Sequence, residues 1–207
     1  MGRTQPIIGI CGGIGAGKSL VATEFERLGC LVVSSDRLNH EVLRRPEVLA
    51  KLRNWWGDEV IAADGSPDRQ RIAELIFADA DKKRRLEDLV YPLIAQLRQD
   101  MINAVSEDQA VKAIILDSPL LFESNLDRLC DTILFVEIPR EQRLRRLQQS
   151  RSWTEDQLRQ RERWLIPLAD KRSRCDFVIN NEGTPDQLRP QVVDILKKVT
   201  SRHADRR

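Results

Sequence analysis

The sequence has 207 residues, of which 41% are apolar and 32% charged. That suffices for one sizeable core with insertions and is too apolar for a disordered chain. The 34 basic and 32 acidic side chains leave a net charge of +2, and aromatics are only 5%, which argues against a nucleic-acid coat or a base-stacking platform. No apolar run approaches the ~18 residues of a membrane span and the first residues carry no secretory pattern. A soluble, cytoplasmic, globular protein with no nucleic-acid and no membrane partner is therefore expected.

The first expected element is a strand over Ile7–Cys11. It runs directly into Gly12-Gly13-Ile14-Gly15-Ala16-Gly17-Lys18-Ser19 and then into a helix with Val21, Phe25 and Leu28 on one face, stopped at Gly29. The octet fits G-x-x-x-x-G-K-[ST] in the strand–loop–helix context that the motif requires. Glycines let the backbone turn its N–H groups inward, and the helix N-terminus adds partial positive charge where a phosphate would lie. Lys18 is placed to reach β- and γ-phosphates and the Ser19 hydroxyl to ligate Mg²⁺. The chain is expected to bind a nucleoside triphosphate.

A second strand, Cys30–Val33, leads to Asp36, which suits either a general base at the carboxyl edge of the sheet or the N-cap of the next helix. His40, one turn on, reads as a solvated histidine. Residues 34–110 show several helical patterns and no strong strand. A third strand, Ala113–Leu116, ends in Asp117, either a partner for Mg²⁺ or a cap. No Asn-Lys-x-Asp element supports guanine specificity. A fourth strand covers Thr132–Val136.

Residues 140–174 carry eleven basic and five acidic side chains, a net +6 against −4 for the remainder. With Arg143 and Arg146 one turn apart, the segment reads as a helical lid bringing arginines onto phosphates, in preference to a merely solvated face. A fifth strand, Phe177–Ile179, precedes a last helix with Thr184 as cap, Pro185 in its first turn, Gln187 at the capping-box position and Leu188, Val192, Ile195 and Val199 on one face. A polar tail is expected over 201–207.

The strand runs are nearly continuous rather than alternating, as in a parallel sheet covered on both faces. The expected class is α/β, with the core in 1–33, 111–139 and 175–200, and with 34–110 and 140–174 inserted at the carboxyl edge where ligands bind. Cys11, Cys30, Cys130 and Cys175 lack metal-ligand or disulfide spacing and read as structural thiols, with Cys11 and Cys30 buried.

With these motifs in order, the chain resembles the dephospho-coenzyme A kinase family from Ile7 to about Val199. The resemblance rests on the phosphate loop, Asp36, Asp64-Gly65 with Arg69 and Phe77, and Asp117-Ser118-Pro119-Leu120-Leu121-Phe122-Glu123. It continues through Arg146, Arg161, Pro167-Leu168 with Lys171, and Asp176-Phe177-Val178-Ile179-Asn180-Asn181-Glu182-Gly183. It implies a P-loop NTPase fold, treated as one unit over 1–200, with a central parallel sheet, a helical substrate-binding insertion over 34–110 and a helical lid over 140–174.

The implied reaction is transfer of the ATP γ-phosphate to the 3′-hydroxyl of dephospho-CoA, with Mg²⁺. The implied catalytic residues are Asp36, Lys18 and Arg146. ATP is assigned to Gly13, Ile14, Gly15, Ala16, Gly17, Lys18, Ser19, Leu20 and Asn181, the acceptor to Asp36, Arg69, Tyr91, Leu120, Glu123 and Arg161, and Mg²⁺ to Ser19 and Asp117. Departures from the family pattern are Ser34 for the first acid of an Asp-x-Asp pair, Leu20 for Thr, Tyr91 for His, Ser150 for Arg and Leu165 for Gln. A kinase for another nucleotide or nucleoside, or a catalytically weakened nucleotide-binding protein, are the alternatives.

Overall fold

The computed structural model describes residues 4–205. All five apolar runs form strands: β1 (Ile7–Gly12), β2 (Leu31–Ser34), β3 (Ile114–Asp117), β4 (Thr132–Glu137) and β5 (Phe177–Asn180). They make one parallel sheet in the order β2-β3-β1-β4-β5. Every residue of β1, the central strand, is buried, which is why its sequence shows no alternation. Gly9 interrupts that run because an added Cβ would stand 2.6 Å from Cys130 Sγ and 2.9 Å from Leu121 Cδ2.

Register fixes what shares the carboxyl edge. Asp117 is opposite both Ile10 of β1 and Ser34 of β2, Gly12 is opposite Val136, and Glu137 is opposite Asn180. Helix α1 (Lys18–Arg27) buries Val21, Ala22 and Phe25 against the sheet. Phe25 is fully buried, worth about 2–3 kcal/mol of apolar burial. Leu28 closes the helix and Gly29 follows it at φ +87°.

The described residues fall into two compact units. One comprises those up to Ser34 and from Ala104 onward, and the other is Ser35–Asn103. The stretch after Asn103 belongs with the first of these units: Thr4 donates to the Ser106 carbonyl and Gln5 to that of Asp108. The second unit holds α2 (Ser35–Leu43), α3 (Pro46–Trp56), α4 (Arg69–Ala78) and most of α5 (Ala80–Ala104) around Val42, Val48, Leu52, Val60, Ile72, Leu86 and Val90.

The arginine-rich segment is helical as α6 (Arg140–Arg151), α7 (Glu155–Glu162) and α8 (Leu168–Ser173). α9 (Pro185–Asp205) buries Leu188, Val192, Ile195 and Val199, and the Thr184 N–H donates to Gln187 Oε1 at 3.0 Å. It continues through 201–205, which were expected as tail. Residues 206 and 207 of that tail lie outside the described residues. Glu24 of α1, 3% exposed, receives Arg27 at 2.6 Å and Arg189 of α9 at 3.0 Å, so a buried carboxylate ties the first helix to the last. Among the described residues no helix is long and apolar enough to cross a membrane.

Candidate active site

α1 has no side chain capping its N-terminus. Its N-cap is Gly17, left-handed at φ +81°, and Gly15 is left-handed at φ +79°. These conformations strain any residue with a Cβ, and space forbids one as well. A Cβ at Gly17 would overlap Asn181 Nδ2, and one at Gly13 would stand 2.8 Å from Arg143 Nη1. The helix start is therefore shaped for an anion by backbone alone. Lys18 Nζ folds back over the loop and donates to the carbonyls of Gly12 and Gly13 at 3.2 and 3.1 Å. Ser19 Oγ donates to Asp117 Oδ2 at 3.1 Å. Asp117 is buried at the end of β3.

Arg143 and Arg146, expected on a lid, both contact the loop or its neighbour Asn181. Arg143, 4% exposed, donates through Nη1 to the Ile14 carbonyl at 3.2 Å and to Glu162 Oε1 at 2.6 Å. Arg140 donates to Glu162 Oε2 at 2.8 Å. Burial pushes the Glu162 carboxyl up, but the bonds from Arg143 and Arg140 outweigh it and hold the group below its ordinary value. Arg143 thus links the loop between β1 and α1 to α7.

Arg146 donates to the Asn181 carbonyl at 2.8 Å, and Asn181, itself buried, donates through Nδ2 to the Ala16 carbonyl at 2.8 Å. Arg146 Nη1 also lies 3.2 Å from where a Cβ of Gly17 would be, so it stands beside the loop. The positive excess of the segment is partly discharged nearby, since Lys171, Arg172 and Arg174 pair with Glu123, Glu137 and Asp127 outside it.

The structure therefore brings Lys18, Ser19, Asp117, Arg146 and Asn181 to one loop. Gly13, Ile14, Gly15 and Ala16 supply its backbone, and Leu20 is exposed in the first turn of α1. Sequence reasoning missed Glu162 and the bracing role of Arg143. The Arg140–Arg143 spacing marks one helix face, but the carboxylate they share is 19 residues beyond Arg143.

Among the acceptor residues, Leu120 is 42% exposed after β3. Glu123 accepts from Lys171 at 2.7 Å and from the Ile166 N–H at 3.1 Å. Arg161 lies 4.0 Å over the Trp153 ring. In the other unit, Asp36 is exposed in the first turn of α2, two residues past the end of β2, and Arg69 opens α4 behind its N-cap Asp68. Tyr91, exposed on α5, donates to Glu87 at 2.9 Å, and burial of its hydroxyl together with that carboxylate pushes it up to about 12. The substituted Ser150 donates to the Arg146 carbonyl at 2.7 Å, so α6 continues across the change.

Comparison with known proteins bears on this arrangement. The family model of dephospho-CoA kinase matches residues 6–187. The chain is 35% identical over 192 residues to a dephospho-CoA kinase of Shouchella clausii, covering 92% of this chain and 97% of that one. It is 33% identical over 196 residues to one of Corynebacterium glutamicum, covering 94% and 98%. Among solved structures, TT1252 from Thermus thermophilus superposes with a TM-score of 0.78 at 29% identity, over 94% of this chain and 98% of that one. Dephospho-CoA kinase from Campylobacter jejuni, at 20% identity, shares the fold with a TM-score of 0.67 over 95% and 98%. With its P-loop kinase fold and a match that spans nearly its whole length, the chain belongs to the dephospho-CoA kinase family.

Proposed function

We propose that the protein transfers the γ-phosphate of ATP to the 3′-hydroxyl of dephospho-CoA, the closing step of coenzyme A synthesis. The observation that carries this reading is the uncapped α1 N-terminus with Lys18 and the Ser19–Asp117 pair around it, in a chain matched by that kinase family. Lys18 exchanges its carbonyl partners for phosphate oxygens, and Arg146 faces charge on the transferring group. Asn181 holds the Ala16 carbonyl, keeping the loop amides aimed at the nucleotide.

A magnesium ion fits the residues present. Ser19 and Asp117 offer hard oxygen donors already in contact, and Mg²⁺ takes only one or two protein ligands besides phosphates and water. When bound it would neutralise phosphate charge. Asp36 is the proposed base, taking the proton of the acceptor hydroxyl at the carboxyl end of β2. Arg69, Tyr91, Leu120 and Arg161 are the proposed acceptor contacts, with Glu123 supporting them from its ion pair.

The test is ADP release from Mg-ATP with dephospho-CoA, with nucleoside monophosphates, or with no acceptor. Release only with dephospho-CoA, together with a product heavier by one phosphate, is expected. Turnover with a nucleoside monophosphate instead, or ATP binding without turnover, would overturn the reading.

A further inference from the structure

Cys11 and Cys175 are 164 residues apart in sequence, yet their sulfurs lie 3.2 Å from each other. Cys11 is buried in β1 and immediately precedes Gly12 of the phosphate loop. Cys175 is half-buried in the turn between α8 and β5, with its sulfur 3.0 Å from the Lys171 carbonyl. Both thiols are free, and the phosphoryl transfer proposed above uses neither.

We propose that Cys11 and Cys175 are an oxidative modification site, closing to a reversible internal disulfide that slows the enzyme. The oxidant class is a peroxide. The Cys175 thiolate attacks one peroxide oxygen, the O–O bond breaks, and the departing hydroxide takes a proton to become water. Cys175 is left as a sulfenic acid. The Cys11 sulfur then attacks the Cys175 sulfur, the S–S bond forms and the S–O bond breaks, and the Cys11 proton leaves with that oxygen as a second water. Two electrons pass from the thiol pair to one peroxide, so the balance closes.

The two sulfurs are electrostatically unequal, which sets their order. With Cys11 as the donor of the sulfur–sulfur contact, its hydrogen bond favours negative charge on Cys175. Despite burial and the neighbouring Asp176, that bond, with help from Arg174 and Arg172, holds the Cys175 thiol below its ordinary value. The same pairing, together with burial, pushes the Cys11 thiol up. The more exposed sulfur is therefore the nucleophile, and the buried one resolves it.

The link reaches the nucleotide site through contacts already described. A disulfide needs its sulfurs about 2.05 Å apart, so closure brings the two sulfurs about an ångström closer and fixes the end of β1 to the turn before β5. Gly12, next to Cys11, offers its carbonyl to Lys18. β5 leads to Asn181, which holds the Ala16 carbonyl. The link would thus constrain the two segments that lead to the supports of the loop.

The slowing rests on the kinase reading, whereas the disulfide does not, and the experiment separates them. Full-length protein is treated with hydrogen peroxide, quenched, alkylated and mapped by peptide mass spectrometry. The same preparation is assayed for ADP release with dephospho-CoA before and after dithiothreitol. A Cys11–Cys175 linked peptide, about 2 Da below the sum of its reduced parts, is expected. A rate lowered at least about threefold and restored by dithiothreitol is expected with it. Cys175→Ser should give no link and keep its rate after peroxide, and Cys11→Ser should match it. A link through Cys30 or Cys130, or sulfinic acid without a link, overturns the site, and a linked protein with undiminished rate overturns the brake. If reduced protein turns over no dephospho-CoA, the kinase reading fails while the peptide map still decides the disulfide.

Discussion

Lys18 donates to two carbonyls of the loop that precedes it, so under the proposed function nucleotide binding would be an exchange of those partners for phosphate oxygens. Gly17 shows how little freedom that position has. Gly17→Ala places a Cβ on a left-handed residue and into the Asn181 amide. The backbone strain alone is about 1–2 kcal/mol, and ATP affinity should fall at least about tenfold by titration calorimetry. An alanine variant with unchanged affinity would remove the steric account of the loop. Asp36→Asn tests the proposed base: ATP affinity should hold while kcat falls by about 10²–10⁴. Undiminished turnover would return Asp36 to the role of a polar residue in the first turn of α2. The sequence made Lys18 visible through the glycine-rich motif between a strand and a helix, and Asp36 through its place just past the second strand run. It left the role of Asp36 ambiguous because capping and proton abstraction call for the same side chain.

At the scale of elements, α6, α7 and the phosphate loop meet at one carboxylate. Glu162 receives both Arg140 and Arg143, and Arg143 passes the contact on to Ile14. Glu162→Gln removes the charge shared by two guanidinium groups. Charge-assisted hydrogen bonds of this kind contribute about 1.5–3 kcal/mol, so KM for ATP should rise by about three- to tenfold with a smaller change in kcat. Steady-state kinetics read the split, and a loss confined to kcat would argue against loop bracing. The pH dependence has a definite sign. Because the folded Glu162 carboxyl lies below its ordinary value of 4.5, the brace is intact above about pH 4.5 and is lost as the pH falls through the lower, folded value. The segment from α6 to α8 was legible as arginine-rich and helical. Its pairing was not, because a carboxylate beyond an intervening turn leaves no trace in helical periodicity.

For the molecule as a whole, the buried Lys171–Glu123 pair joins the segment after β3 to α8. Lys171 is 2% exposed and pairs with Glu123 at 2.7 Å. Burial pushes the Glu123 carboxyl up, and the Lys171 ammonium with the Ile166 N–H more than reverses it, leaving the group below its ordinary value. Its stabilisation is therefore complete above about pH 4.5 and lost as the pH falls through the folded value. Glu123→Gln leaves the ammonium buried without its counter-charge. Breaking such a pair costs about 3–5 kcal/mol, a large share of the ~5–15 kcal/mol that keeps a domain folded. Thermal melts at pH 7 should show Tm lower by on the order of 10 °C, with the gap between variant and parent narrowing toward pH 4. Equal melting at pH 7 would show that the pair contributes nothing net.

Sequence alone determined the five strands, the α/β class, the glycine-rich loop between β1 and α1, and the helical character of the two long stretches between strands. Each follows from local order: apolar runs too continuous for a one-sided sheet, glycines between strand and helix, and 3.6-residue spacing elsewhere. Tertiary structure decided what distance along the chain conceals. It set the strand order that puts Asp117 against Ser19, turned Arg143 inward onto Glu162 and extended the last helix to Asp205. It also brought Cys11 within 3.2 Å of Cys175. Those outcomes depend on which surfaces bury one another, and burial joins residues through space without regard to their spacing in the chain.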